Sequence, residues 1–487
     1  MSSVQLVWFR DDLRLDDHPA LTAAAASGPV VALYVLEEGL PGRQDLGGAV
    51  RWWLHHSLAD LASRLAARGV SLLLRRGDPR GIVPDVAQAV KAGGVHWTRR
   101  YLPWTRDVDA AIKVGLKARG LAATSHTGSL LVEPKALKTG TGGPYKVFTP
   151  YSRALRPLAD QAAASVLPEP PALTGAPLPA GLASDELADW ALLPSRPDWS
   201  GGIARAWTPG EAGARDRLER FITGALRGYG EGRDFPARPG TSRLSPHLRF
   251  GEISPRRAWL AAAHAAAGNP ALDADTAKFQ AELAWREFAS HLLFHFPTLP
   301  VANWKSSFDR FGWRDDPAGL KAWQTGQTGY PIVDAGMREL WTTGWMHNRV
   351  RMIVGSFLVK HLLIDWRLGE AWFRDTLVDA DTANNAAGWQ WIAGCGADAA
   401  PYFRIFNPVS QGERFDGAGA YVRRWVPEIA RLPDSFLHKP WEAPPLILSA
   451  ASIRLGITYP RPVVDHAHAR QRALDTYAAI KADGQGE

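Results

Sequence analysis

VVALYVL at residues 30–36, VRWWLHHSLADLASRLAAR at 50–68 and SLLLR at 71–75 decide how the first part of this chain folds. The outer two are short apolar runs of strand length. The middle one repeats its apolar positions every three to four residues, the period of a helix. A fourth apolar run, 4–9, precedes them. Strands separated by a helix cannot pair as a hairpin. They must lie parallel, with crossover helices on both faces of the sheet. Residues 1–128 are therefore expected to form a doubly wound α/β domain. No GxGxxG follows the first strand, so the ordinary dinucleotide fingerprint is absent.

Outward from that domain the pattern changes twice. Residues 129–200 lose periodicity, and LPEPPALTGAPLPAGL at 167–182 is rich in Pro, Gly and Ala, as expected of a linker over the surface. Beyond 200 the helical period returns at 211–226, 255–267, 275–296, 333–363 and 383–394, which predicts a larger all-α domain spanning 201–487. There is no internal repeat, and only the final DGQGE reads as a disordered tail.

The 487 residues are 46% hydrophobic and 22% charged, a globular profile, and no apolar run approaches the twenty residues of a membrane span. Charges interrupt the N-terminus before a secretory core can form. The single Cys395 can make neither an internal disulfide nor a multi-cysteine metal site. These features predict a cytoplasmic monomer with no obligate protein partner and no metal. An excess of 56 basic over 49 acidic side chains, +7 in all, admits a polyanionic partner. The 21 tryptophans, many of them between 285 and 391, suit core packing, base stacking or electron relay.

Four constellations carry candidate chemistry. Thr241-Ser242-Arg243-Leu244-Ser245-Pro246 is a hydroxyl-rich loop entering a helix, with Ser245 as cap and Pro246 in first position; it reads as a plain helix start or as a diphosphate cradle. Glu282, Trp285 and Arg286 share a helix face by their i, i+3, i+4 spacing, as a nucleobase contact or as an ion pair over a packed indole. Asn348, Arg351 and Met352 share another face, beside Arg349. Asp379 and Asp381 precede a helix holding Asn384, Asn385, Trp389 and Trp391, where small neighbours would let a flat ring approach the backbone. Together these make a polar pocket with aromatic walls and no nucleophile dyad or metal-ligand set.

With VWFRDDLRLDDHPAL (7–21), RDFPARPGTSRLSPHL (233–248), ELAWREF (282–288), GWMHNRVRM (344–352) and DADTANNAAGWQWIAGCGADAAPYFRIFNP (379–408), the chain resembles the cryptochrome/photolyase family over nearly its whole length. Its likeness is greatest to bacterial members that repair cyclobutane pyrimidine dimers. The resemblance implies an α/β domain joined to a helical FAD-binding domain. It also implies light-driven repair of damaged DNA, by electron transfer from excited reduced FAD to a flipped-out lesion. By position, Tyr229, Thr241, Ser242, Arg243, Leu244 and Ser245 would hold the FAD phosphates and ribityl chain. Arg351, Asp379, Asp381 and Asn385 would hold the ring. Trp389, Trp366 and Trp313 would relay electrons. Glu282, Trp285, Asn348, Met352 and Trp391 would line the lesion pocket, and Arg233, Arg286, Arg349 and Gln411 would contact DNA. Some members bind a folate antenna through an Asn-Glu pair after a Tyr. The corresponding stretch here, Tyr101 to Arg106, lacks that pair. An antenna, methenyltetrahydrofolate ahead of a deazaflavin, would stack on Trp104 or Trp52. The rival readings are a cryptochrome photoreceptor, against which Asn385 speaks because plant-type members carry an acid there, and a flavin-free DNA-binding protein.

Overall fold

The computed structural model describes residues 3–40, 44–399 and 403–482. It divides into two compact units, 1–227 with 242–297 and 228–241 with 298–487. The C-terminal DGQGE lies outside the described residues.

The first unit is built on a five-stranded parallel sheet of β1 (Gln5–Phe9), β2 (Val30–Leu36), β3 (Leu72–Arg76), β4 (Gly94–Thr98) and β5 (Ala122–His126), in the order β3-β2-β1-β4-β5. Every residue of β1 and β2 is buried, which is why their sequences read as continuous apolar runs rather than alternating ones. The crossovers are α1 (Pro19–Ser27), α2 (Gly48–Ala66), α3 (Pro79–Ala89) and α4 (Pro103–Ala118). Leu6, Trp8, Val31, Leu33, Leu73, Val95 and Trp97 from the strands pack with Ile112 and Leu116 of α4 in one core.

The loop leaving β1 ties this sheet to helices far along the chain. Asp11 pairs with Arg249 at 2.7 Å, Asp16 with Arg257 at 2.7 Å and Asp17 with Arg256 at 2.6 Å. Arg14 donates to the carbonyls of Gly251, Gly128 and Asp17, and the Leu13 and Leu15 amides donate to Phe250 O and Glu211. Burial alone would push the Asp12 carboxyl up. His18, 3.0 Å away, and the donors around it hold it well below the usual carboxylate range instead. Asp12, Arg14, Asp17 and Arg256 are buried, where a charge survives only because a partner meets it.

Three sequence expectations need correction. The stretch 129–200 contains a helix, α5 (Phe148–Ala163), burying Tyr151, Leu155, Ala159 and Ala163 at four-residue spacing. Pro150 in its first turn and Pro157 inside it disguise that stripe. The stretch 333–363 is not one helix. Pro331–Thr343 ends at Gly344, whose φ of 66° is a left-handed cap, and Asn348–Ser356 starts anew before a π-turn at Phe357–His361. Finally, Ser245 is itself the first residue of the helix Ser245–Phe250, with Leu244 in the cap position and no side-chain cap there. The Ser254 cap does form, its hydroxyl accepting from the Arg257 amide.

The second unit is helical. Asn348–Ser356, Trp366–Thr376 and Thr382–Ala393 pack around buried Val354, Phe357, Trp366 and Trp389, with His466–Ala482 against the π-turn.

Asp17→Asn keeps the shape and tolerates the residue's φ of 49° but leaves buried Arg256 without its charge partner. It should lower the unfolding free energy by about 3 kcal/mol in urea titration, as removal of one partner of a buried ion pair does. A change within about 0.5 kcal/mol, the scale of a surface substitution, would contradict the role assigned to the loop.

Candidate functional site

In the second unit the break at 344–347 places a short helix with its polar start free of the preceding one. His347 caps it, Nδ1 accepting the Arg349 amide at 3.2 Å, so that the ring proton sits on Nε2. Burial pushes this imidazole down to about 4, against the pull of Asp234; Arg233, Arg349 and Arg351 push the same way as burial. His347 is neutral at physiological pH. Asn348, next in sequence, is exposed, and Arg351 and Met352 on its face are half-buried.

Arg351 is fixed twice, by Nε donating to Met346 O and by Nη2 donating to Asp379 Oδ2, both at 2.8 Å. Asp381 caps the helix Thr382–Ala393, accepting from the Asn384 amide at 2.9 Å and the Asn384 side chain at 2.7 Å. One turn on, Asn385 donates Nδ2 to the Glu370 carbonyl at 3.0 Å and to Glu370 Oε1 at 2.8 Å. Because both contacts are acceptors, they fix which amide atom is nitrogen, and Oδ1 is the atom Asn385 presents elsewhere. Burial raises the Glu370 carboxyl, an effect that Arg374 and the bond from Asn385 offset in part.

Trp389, a further turn along, is 2% exposed, wedged against Gly369 and edge-on to Phe373 and Trp323. Its buried Nε1–H has no acceptor among the described residues. Trp366 is fully buried, its Nε1–H donating to Asn303 at 2.9 Å, and Trp313 packs on Phe311 with ring centroids 4.4 Å apart. Trp391 lines a small cavity with Lys360, Phe403, Arg404 and Tyr477. Tyr229 is buried beneath Arg233, and Gln411 lies on the helix Pro408–Phe415.

The first unit carries the remaining candidates. Arg243 has a φ of 50° and stacks over Trp207 at 4.6 Å, so the hydroxyl loop 242–245 is held in a specific and costly conformation. Ser242 Oγ accepts weakly from the Leu244 amide at 3.4 Å, and Ser245 is exposed. On the helix Asp273–His295, Glu282 lies 3.6 Å from Lys278. Trp285 is stacked flat on Phe148 of α5, with centroids 3.6 Å apart and planes 5° off parallel. Sequence reasoning missed Phe148 along with α5. Arg286 is hydrogen-bonded within the unit, to Ser129 O, Leu248 O and Glu287. Trp52 is buried under His56, which leaves half-exposed Trp104, capped by Arg100 at 5.4 Å, as the accessible indole of the two proposed for an antenna.

Residues 5–172 match the family described as DNA photolyase, and 279–479 match the FAD binding domain of DNA photolyase. The deoxyribodipyrimidine photo-lyase of Agrobacterium fabrum is 54% identical over 98% of both chains. Arabidopsis thaliana cryptochrome-1 is 39% identical over 96% of this chain and 69% of its own. A bacterial class III photolyase structure from Agrobacterium tumefaciens superposes with a TM-score of 0.94, covering 99% of this chain and 98% of the other at 54% identity. The chain belongs to the DNA photolyase/cryptochrome family.

FAD is the group this family's helical domain binds, and the second unit fits it. A cation–carboxylate pair, a carbonyl oxygen fixed by Glu370 and a buried indole donor without an acceptor follow one another on and beside a single helix.

Packing around Trp389 gives a prediction. A Cβ on Gly369 would fall 2.2–2.6 Å from three atoms of the indole. Gly369→Ala should therefore cost about 2 kcal/mol of stability by overpacking and lower the FAD content of the purified protein. A variant as stable and as yellow as the parent would show that this contact does not position Trp389.

Proposed function

We propose that this protein is a deoxyribodipyrimidine photo-lyase that repairs cyclobutane pyrimidine dimers in DNA under light. The observation that carries the reading is the helix Thr382–Ala393, where Asp381, Asn385 and Trp389 follow at one-turn spacing with Asn385 locked to Glu370. FAD, when bound and reduced, supplies the light-driven electron that acid–base groups cannot.

The chain's own residues bind and orient. Arg351, Asp379, Asp381 and Asn385 hold the ring, Tyr229 and Thr241 to Ser245 the phosphates and ribityl chain. Trp389, Trp366 and Trp313 form the indole relay. Glu282, Trp285, Asn348, Met352 and Trp391 receive the lesion, and Arg233, Arg349 and Gln411 hold the backbone. Glu282 hydrogen-bonds the dimer and stabilises charge developing on it. Cyclobutane dimers are favoured over (6-4) photoproducts because the latter need a general acid. The one imidazole beside Asn348 is buried, tied to its own helix and neutral at physiological pH. The antenna is a folate on Trp104, and the protein works as a cytoplasmic monomer. Cryptochrome relatives match at lower identity than the photo-lyase from Agrobacterium fabrum, which favours the enzyme.

The test separates relay from repair. The protein should purify with noncovalent FAD, and Trp389→Phe should abolish photoreduction of the oxidised cofactor while chemically reduced enzyme still repairs DNA. A well-folded protein that cannot be loaded with FAD would overturn the proposal, and normal photoreduction in the variant would remove Trp389 from the relay.

A further inference from the structure

We propose that Asp234 is an internal stand-in for a DNA phosphate, holding Arg349 in the DNA-free protein and displaced from it when a nucleic-acid backbone binds. The inference rests on the proposed role of Arg349 as a DNA contact and adds the competitor that guards it.

The geometry is that of an incompletely satisfied cation. Arg349 Nη2 lies 2.8 Å from Asp234 Oδ1, while Nη1 reaches only the Met352 sulfur at 4.0 Å. Its Nε is buried and has no acceptor among the described residues. A guanidinium offers five N–H donors in a planar fork, and one carboxylate oxygen meets only part of that fork; a phosphate presents several oxygens to it.

The surroundings favour a polyanion. Arg349 and Arg414 stack over Phe415 at 4.5 and 5.1 Å, Arg238 stacks over Phe235 at 4.3 Å, and the two phenylalanines lie 6.3 Å apart. Arg233 stands over Tyr229 at 5.6 Å. The two phenyl rings hold three guanidinium groups, and Arg233 joins Arg349 and Asp234 around His347, so Asp234 brings a carboxylate into a cationic neighbourhood. Asp234 is 34% exposed at the side chain and Arg349 20%, so the pair is reachable from solvent and open to exchange.

Displacement costs the free protein its ion pair whichever duplex binds. Removing the carboxylate should therefore tighten damaged and undamaged DNA by the same factor. The physical effect of Asp234 is to lower occupancy on the large excess of undamaged backbone without altering preference for the lesion.

The experiment is a double-mutant cycle on the FAD-loaded protein, measuring Kd for an undamaged duplex and for one carrying a cyclobutane dimer at low salt. Asp234→Asn should tighten both by roughly 3- to 10-fold, the scale of a half-exposed ion pair plus the loss of one repelling charge. In the Arg349→Ala background the same substitution should change affinity less than about 2-fold, because no ion pair is left to release and only the loss of a repelling charge remains. Asp234→Ser serves if the Asn variant does not fold, flavin absorption reporting the fold. An unchanged or weakened Asp234→Asn Kd, with Arg349→Ala weakening binding, would overturn the displacement and leave the DNA contact standing. A gain that persists in full without Arg349 would reduce it to general charge and also overturn it. Arg349→Ala with unchanged affinity would overturn the contact itself.

Discussion

The ion-paired loop between β1 and α1 is the constraint on which the first unit depends. Asp11, Arg14, Asp16 and Asp17 come from one short stretch, and their partners come from residues 128 and 249–257. A buried charge without its partner costs several kcal/mol, so the chain cannot fold the sheet well and leave those helices elsewhere. The helices that follow the hydroxyl loop are thereby fixed to the sheet, while Asp273–His295, which carries Glu282 and Trp285, is tied separately through Glu287, which accepts from the Leu131 amide, and Arg286, which donates to Ser129 O. This explains why 242–297 belongs with the sheet rather than with the later helices.

The second unit solves a different problem, keeping polar groups in place with little net charge. Asp379 is neutralised by Arg351, Asp381 is engaged at a helix N-terminus, and position 385 is an amide rather than an acid. The amide is held by Glu370, a carboxylate that burial keeps above its ordinary range. Such an arrangement suits a large, flat, mainly neutral ring more than a metal or a phosphate. It leaves the indole of Trp389 close-packed, in keeping with the relay role proposed for it.

Much of this was legible in the chain because burial writes itself as periodicity. The all-buried strand Val30–Leu36 and the helix Pro255–Ala267 lie where their apolar patterns put them. The FAD-binding family domain agrees with the resemblance carried by residues 379–408. What was missed had local cues pointing the wrong way or no local cue at all. Prolines hid α5 and with it Phe148, the ring that backs Trp285. The left-handed Gly344 cap split a periodic run into two helices, since the period of an amphipathic stripe does not record a break in the backbone. Glu370 and Asp234 matter through contacts with Asn385 and Arg349, partners distant in sequence that only the folded chain identifies.

The central claim is light-driven repair selective for one lesion. Chemically reduced protein illuminated with blue light should restore oligonucleotides carrying a cyclobutane thymine dimer, do nothing in the dark, and leave a (6-4) photoproduct in the same sequence largely untouched. Preferential repair of the (6-4) lesion would contradict the assignment of Asn348, Met352 and neutral His347. Absence of repair of either lesion by FAD-loaded, reduced and illuminated protein would contradict the enzyme altogether.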